Sequence, residues 1–158
     1  MKTKIRKAQE KDIPKLLELL KQVNAIHAGR RPDIFRYATK YSAEELKKLM
    51  ADPSYFIFVA ADEKDEAEGY AICLDATIRG DAIRTEIRNL YLDDLCVDEK
   101  ARGGHIGTKL LDFVKSFAKE QGFDILTLNV WELDREAKKF YLSQDMQVER
   151  TTLEYKLH

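Results

Sequence analysis

Residues 90–111, Leu-Tyr-Leu-Asp-Asp-Leu-Cys-Val-Asp-Glu-Lys-Ala-Arg-Gly-Gly-His-Ile-Gly-Thr-Lys-Leu-Leu, constrain this chain more than any other stretch. An apolar strand pattern runs into a turn with glycines at 103, 104 and 107 and passes at once into an amphipathic helix. Such a connection lays the helix back on a sheet, so the fold must be layered. Glycines let the backbone approach an anion and take positive φ, and the helix start adds free amides and the positive end of its dipole. The same spacing also suits a plain strand-to-helix turn with a cap, so the glycines alone do not establish phosphate binding.

Two common phosphate loops fit poorly. A nucleoside-triphosphate loop needs four residues between its glycines and then Lys-Ser/Thr, whereas Gly107 is followed by Thr108-Lys109, the reverse order. A dinucleotide fingerprint needs glycine where Arg102 stands, and Asp124 opens the next predicted strand where the ribose-binding acid should close it.

The pattern that fits is Arg-x-x-x-x-Gly followed directly by a helix. Here the chain resembles the GNAT superfamily of N-acetyltransferases, whose signature Gln/Arg-x-x-Gly-x-Gly/Ala maps onto Arg102-Gly103-Gly104-His105-Ile106-Gly107. Downstream, Leu126 to Asp134 and Ala137-Lys-Lys-Phe-Tyr141 resemble the family's next strand and its Asn-x-x-Ala-x-x-Phe-Tyr helix. Three departures stand out. His105 replaces the middle glycine, Asp134 the usual Asn, and Gln144-Asp-Met146 a common Leu-Gly-Phe. The resemblance spans almost the whole chain and implies acetyl-CoA as cosubstrate. Its pyrophosphate is expected on Arg102, Gly103, Gly104, His105, Ile106, Gly107 and Thr108.

The chain has 158 residues, enough for one domain over 1–158 with its own core. With 44% hydrophobic and 35% charged residues it reads as a globule. No apolar run is long enough for a membrane span, and the N-terminus lacks a signal peptide's apolar stretch, so no membrane association and a cytoplasmic location are expected. A net charge of −1 argues against a nucleic-acid partner. Charge must act locally, and Lys100, Arg102 and Lys109 surround the one turn. Cys73 and Cys96 fall in predicted strands and read as buried thiols. His27 and His105 have no second ligand at metal-binding spacing, so no metal is expected.

Lys4 to Ala8 alternates as a strand, and Ile13, Leu16, Leu17, Leu20 and Val23 mark a helix starting near Glu10 to Asp12, with Pro14 in its first turn. Residues 28–42 read as a loop; Ser42, with Glu45 three residues on, caps a second helix that Pro53 stops. Strands are predicted over 55–61, 69–77 and 87–97, with short links favouring antiparallel pairing. Then follow a helix over 108–121 stopped by Gly122, a strand over 124–131, a helix over 134–142 and an alternating strand over 146–157. The fold class is α/β with α+β character: a central, mixed, mostly antiparallel sheet flanked by helices, as in the GNAT fold.

Acetyl transfer to an amine faces a protonation cost first: an alkylamine of pKa about 10.4 needs about 4.6 kcal/mol to become neutral at pH 7. Strand alternation points Asp93 and Asp94 to opposite faces. The run Tyr91 to Val97 resembles the Tyr-Leu-Glu-Asp-Phe-Phe-Val run of diamine acetyltransferases, whose first acid lies in the acceptor channel, which makes Asp93 the expected base or amine-orienting residue. The family places its proton donor on the following helix at Tyr141, a residue that by itself reads equally as packing. It also implies free backbone groups at Leu95, Cys96 and Val97 for the pantetheine arm, with Asn129 and Asp134 reaching the cleft from the other side. Asp93, Asp94, Glu132 and Asp134 favour a cationic acceptor, whereas Arg30, Arg31 and Arg36 favour an anionic one; Phe35, Tyr37 and Tyr41 are candidate pocket walls. The expected function is acetyl-CoA-dependent N-acetylation of a primary amine by direct attack, on a small-molecule or peptide acceptor. A diamine or polyamine acetyltransferase and a non-catalytic acyl-CoA sensor are the alternatives, and a homodimer is compatible with the pattern.

Overall fold

The structure is a computed structural model that describes residues 2–158. Strand β1 (Lys4–Lys7) leads through a 3-10 turn at Glu10–Asp12 into helix α1 (Ile13–Arg30), with Pro14 in its first turn. Helix α2 (Ala43–Ala51) starts at the expected capping box: Ser42 Oγ accepts from Glu45 N at 3.1 Å and Glu45 Oε1 accepts from Ser42 N at 3.0 Å. Strands β2 (Tyr55–Ala61), β3 (Ala67–Asp75) and β4 (Asn89–Val97) follow, then α3 (Ile106–Glu120), β5 (Ile125–Leu128) and α4 (Arg135–Ser143).

All five strands form one sheet in the order β1-β2-β3-β4-β5. The pairs from β1 to β4 are antiparallel; β5 joins β4 in parallel, with α3 as the crossover a parallel pair requires. Both faces are covered, which explains why Tyr55–Ala61 is apolar throughout rather than alternating. Ile57 and Val59 meet Leu16, Leu19, Leu20 and Leu46 on the α1 and α2 face, while Phe58 and Ala60 meet Leu110, Leu111 and Val114 on the α3 face. Gly69 lets β3 and β4 approach: a Cβ there would sit 2.9 Å from the Cys96 carbonyl and 3.2 Å from Leu110.

Three sequence expectations need correction. Helix α1 continues through Arg30 into the stretch read as loop, since Gly29 is tolerated where its Cβ position faces Tyr37. Strand β5 ends at Leu128 rather than near Trp131. The tail predicted as a strand over 146–157 pairs with nothing in this chain: among the described residues, no backbone hydrogen bond involves Gln147 to His158. Alternation supplies one apolar face, but a strand also needs a ladder partner. No helix among the described residues is long and apolar enough to cross a membrane.

Candidate active site

The candidate site lies where β4 and β5 part. They pair only from Asn89–Ile125 to Leu92–Leu128, after which β4 continues to Val97 still bonded to β3 on its other side. The β4 edge from Asp93 to Val97 therefore has no ladder partner toward β5 among the described residues. At the point of parting, β3 skips from the Cys73–Leu92 pair to Ile72–Asp94, which leaves Asp93 as the extra residue of a β-bulge.

That bulge overturns the expected opposite-face arrangement of the two aspartates. Asp94 is opposite Ile72, which packs toward α1, and it accepts from the buried Tyr70 hydroxyl at 2.9 Å. Asp93 looks to the same side, accepting from Tyr41 at 2.7 Å and from the Lys40 ammonium at 3.1 Å. Lys40 and Tyr41 come from the segment before α2, far away in sequence. Burial raises the Asp94 carboxyl above the ordinary carboxylate range. Burial, reinforced by the bond to Asp93, likewise raises the Tyr41 phenol.

The turn after β4 is braced from α1. Asp98 is buried; it forms an ion pair with Lys15, accepts from Lys100 N at 3.2 Å, and its own amide donates to the Glu68 carbonyl at 2.8 Å. Beyond the 3-10 turn Glu99–Ala101, Arg102, Gly103, Gly104 and His105 are exposed. Lys100, Arg102 and Lys109 form no ion pair among the described residues. His105 is the N-cap of α3 without a side-chain cap bond, so the first amides of α3 are left to an external acceptor. Gly107 allows Phe140 of α4 within 3.5 Å of where its Cβ would stand, and Ile106 anchors the helix start in the core. Uncapped amides at a helix start, with free cations beside them, are a donor set that fits the pyrophosphate of acetyl-CoA.

The substitution of the family's middle glycine has a structural cost. His105 adopts φ +59°, ψ +25°, the left-handed region that glycine enters freely, and Asp145, in the family's other altered glycine position, adopts φ +66°. Left-handed backbone costs an L-residue about 1–2 kcal/mol, offset in part by glycine's greater entropy loss on folding. His105→Gly is expected to raise unfolding free energy by about 0.5–1 kcal/mol, measurable by urea titration, with the slope unchanged. A destabilised variant would show that the imidazole makes a contact that outweighs the strain.

From the other side, Tyr141 on α4 packs against the α3-face core and against Phe140, ring centroids 5.2 Å apart. Burial above all, then the nearby Asp94 and Asp134 carboxylates, raises its phenol pKa. Asp134 performs the capping role of the Asn it replaces, accepting from Ala137 N at 3.1 Å. Asn129 lies exposed just past β5, near the Tyr91 phenol. Leu95 and Val97 face the α3 side, whereas Cys96 turns to the α1 core with its sulfur 3.7 Å from the Leu19 carbonyl. Burial pushes both cysteine thiols up to about 12, which leaves no activated thiolate at neutral pH. Thr108 is partly buried in the first turn of α3.

The conflicting acceptor charges are largely spent inside the protein. Arg30 bonds the Leu133 carbonyl, Arg31 pairs with Asp33 and Glu154, and Glu132 pairs with Lys138. Phe35 stacks on His27 at 4.9 Å and meets Trp131 edge-on at 5.0 Å, so it ties the early loop to the segment after β5; Tyr37 is exposed. Sequence reasoning missed Lys40, Tyr70 and Asp98, whose partners are distant in the chain; only Asp98, two residues before Lys100, carries a local capping signal. Among the described residues, no cluster of three His, Cys, Asp or Glu side chains is placed to hold a metal.

Comparison with known proteins agrees with this fold. The model of the acetyltransferase (GNAT) family matches residues 15–146. An uncharacterised N-acetyltransferase encoded in the pepI 3′ region of Lactobacillus delbrueckii subsp. lactis is 27% identical, over 90% of this chain and 83% of that protein. The crystal structure of a mutant BH1408 protein from Bacillus halodurans superposes with a TM-score of 0.94 at 28% identity, covering 98% of this chain and 99% of that one. An aminoglycoside acetyltransferase, meta-AAC0020 from an uncultured soil metagenomic sample, solved with sisomicin, shares the fold at a TM-score of 0.73 and 23% identity, covering 99% and 95%.

Proposed function

Because this chain belongs to the acetyltransferase (GNAT) family and is thereby an acetyl-CoA-dependent acetyltransferase, we propose that its acceptor is a primary amine, which attacks the bound thioester directly. The observation that carries the proposal is the parting of β4 from β5 at the bulged Asp93, which leaves the β4 edge from Asp93 to Val97 unpaired ahead of a helix start without a side-chain cap. The Lys40 ammonium lies 3.1 Å from Asp93, and in this reading an acceptor ammonium takes its place on that carboxylate.

When bound, acetyl-CoA supplies the activated acetyl thioester. In our reading Arg102 and the amides of residues 103–108 hold its pyrophosphate, while free backbone groups from Leu95 to Val97 receive the pantetheine arm and polarise the thioester carbonyl. Asp93 draws in the acceptor ammonium and takes its proton, directly or through water, which lowers the cost of about 4.6 kcal/mol for presenting a neutral amine at pH 7. Tyr141 Oη then gives a proton to the departing sulfur and regains one from the second proton that the amine nitrogen loses as the amide forms. In this reading Asn129, just past β5, and Asp134, the N-cap of α4, stand on the coenzyme side away from β4.

Asp93→Asn is expected to depress turnover most at neutral pH, where nearly all free amine is charged. Raising the pH should partly rescue it, since each unit below the amine pKa yields about tenfold more neutral amine. Turnover is read across polyamines, aminoglycosides, amino acids and peptide N-termini, with Asp94→Asn as the neighbouring comparison. A larger defect in Asp94→Asn, or an Asp93→Asn pH profile merely scaled down from wild type, assigns the role elsewhere. Coenzyme binding with no amine-stimulated turnover would instead favour a sensor.

A further inference from the structure

We propose that Lys40 selects the acceptor: an amine that carries a carboxylate or phosphate within a few bonds takes the place of Lys40 on Asp93, and its anionic group pairs with the displaced lysine ammonium. The inference rests on the reading of Asp93 as the carboxylate that receives the acceptor amine, and it names a substrate class for that position.

Asp93 divides its two oxygens between two partners. Oδ2 accepts from the Tyr41 hydroxyl at 2.7 Å, and Oδ1 accepts from the Lys40 ammonium at 3.1 Å. Tyr41 is half-buried and holds the carboxylate in place, whereas the Lys40 side chain is 44% exposed and sits on a flexible four-carbon stem. An ion pair this open to solvent contributes little, so an ammonium arriving at Oδ1 can displace Lys40 while the Tyr41 bond persists. The lysine ammonium also lies over the Tyr41 ring, 5.6 Å from its centroid, which keeps it beside the incoming group once it leaves Asp93.

Charge decides what that group must be. Asp93 and Lys40 balance each other. Burial lowers the His27 imidazole, outweighing the Asp134 carboxylate, so this side chain, which also feels Lys40, is uncharged at neutral pH. A plain ammonium on Asp93 leaves Lys40 as an unmatched cation next to it, and like charges at such range repel. An anion on the acceptor restores the balance. The segment that delivers Lys40 has the same sign: residues 31–42 carry Arg31, Arg36 and Lys40 against one acid, Asp33, which Arg31 already holds. Arg36 forms no ion pair among the described residues. The second ammonium of a diamine finds no comparable partner, since Glu154 also belongs to Arg31, Glu132 to Lys138, and Asp134 to the start of α4.

Matched acceptors test this: an amino acid, its neutral amide, the phosphate analogue and the diamine of the same chain length. Two quantities are read for each, kcat/KM corrected for the amine pKa, and Kd on the protein saturated with free coenzyme A, which has no acetyl group to give. Wild type is expected to favour the anion-bearing amines over the amide and the diamine by about 10-fold or more, the scale of one charge-assisted hydrogen bond, through KM and Kd rather than kcat. Lys40→Met keeps the length, removes the charge and should abolish the preference; Lys40→Arg should retain it. Ratios between acceptors are compared because any effect on Asp93 common to all of them cancels. The carboxylate-to-phosphate ratio in wild type tells which anion is taken. Equal ratios in wild type and Lys40→Met, or a wild-type preference for the diamine, would overturn the proposal even where N-acetyl product forms. A Lys40-dependent preference in Kd without turnover of any amine would instead overturn acetyl transfer at this site and leave the selection by Lys40 standing.

Discussion

Tyr141→Phe is expected to lower kcat by about 10²-fold or more while leaving coenzyme affinity nearly unchanged. The ring packs beside Phe140 against the α3-face core, so phenylalanine keeps the contacts and removes only the hydroxyl. What is lost is a proton for the departing sulfur. Burial and the Asp94 and Asp134 carboxylates disfavour the phenolate, so the donor stays protonated across the neutral range. The sign follows for the pH profile: any fall in kcat caused by ionisation of Tyr141 begins above the ordinary phenol value of about 10, not below it. Turnover near wild type across pH 7–9, in an assay limited by chemistry, would make Tyr141 a packing residue only.

Arg102→Ala is expected to weaken acetyl-CoA binding by about 1.5–3 kcal/mol, roughly 10- to 150-fold in Kd, the range for a charge-assisted hydrogen bond. Arg102 is exposed and has no carboxylate partner among the described residues, so its removal leaves no orphaned charge and the melting curve should not move. The wild-type affinity should fall with added salt, and that salt dependence should be shallower in the variant. Calorimetric titration that finds equal affinity in a folded variant removes Arg102 from the coenzyme site.

What was legible in the sequence is what local chemistry specifies. Ser42 and Glu45 form the expected capping box, Gly122 ends α3 with φ +79°, and the turn at Arg102 to Gly107 lies between a strand and a helix as its pattern demands. What was not legible depends on partners distant in the chain. One bulge, set by the register of β3 against β4, turned Asp93 and Asp94 to the same face; alternation along β4 alone contains no trace of it. Lys40 and Tyr41 meet Asp93 only because α2 packs on β2 and α1. The charges that left the acceptor ambiguous were counted as free in the sequence, but pairs such as Arg31–Asp33 and Lys138–Glu132 take them out of play. The tail shows the converse: its alternation predicts a strand, but among the described residues no ladder partner meets it and no strand forms.

Direct attack by an amine is tested by a single turnover on the wild-type protein, following intact protein mass, free coenzyme thiol and acetylated amine together. The protein is mixed with acetyl-CoA alone, and then with each amine of the acceptor panel. The prediction is an unmodified protein mass throughout, with thiol released only after an accepted amine is added and in equal amount to N-acetyl product. An acetyl group carried on the protein before the amine arrives, thiol release without acetylated amine, or no N-acetyl product from any amine would contradict it.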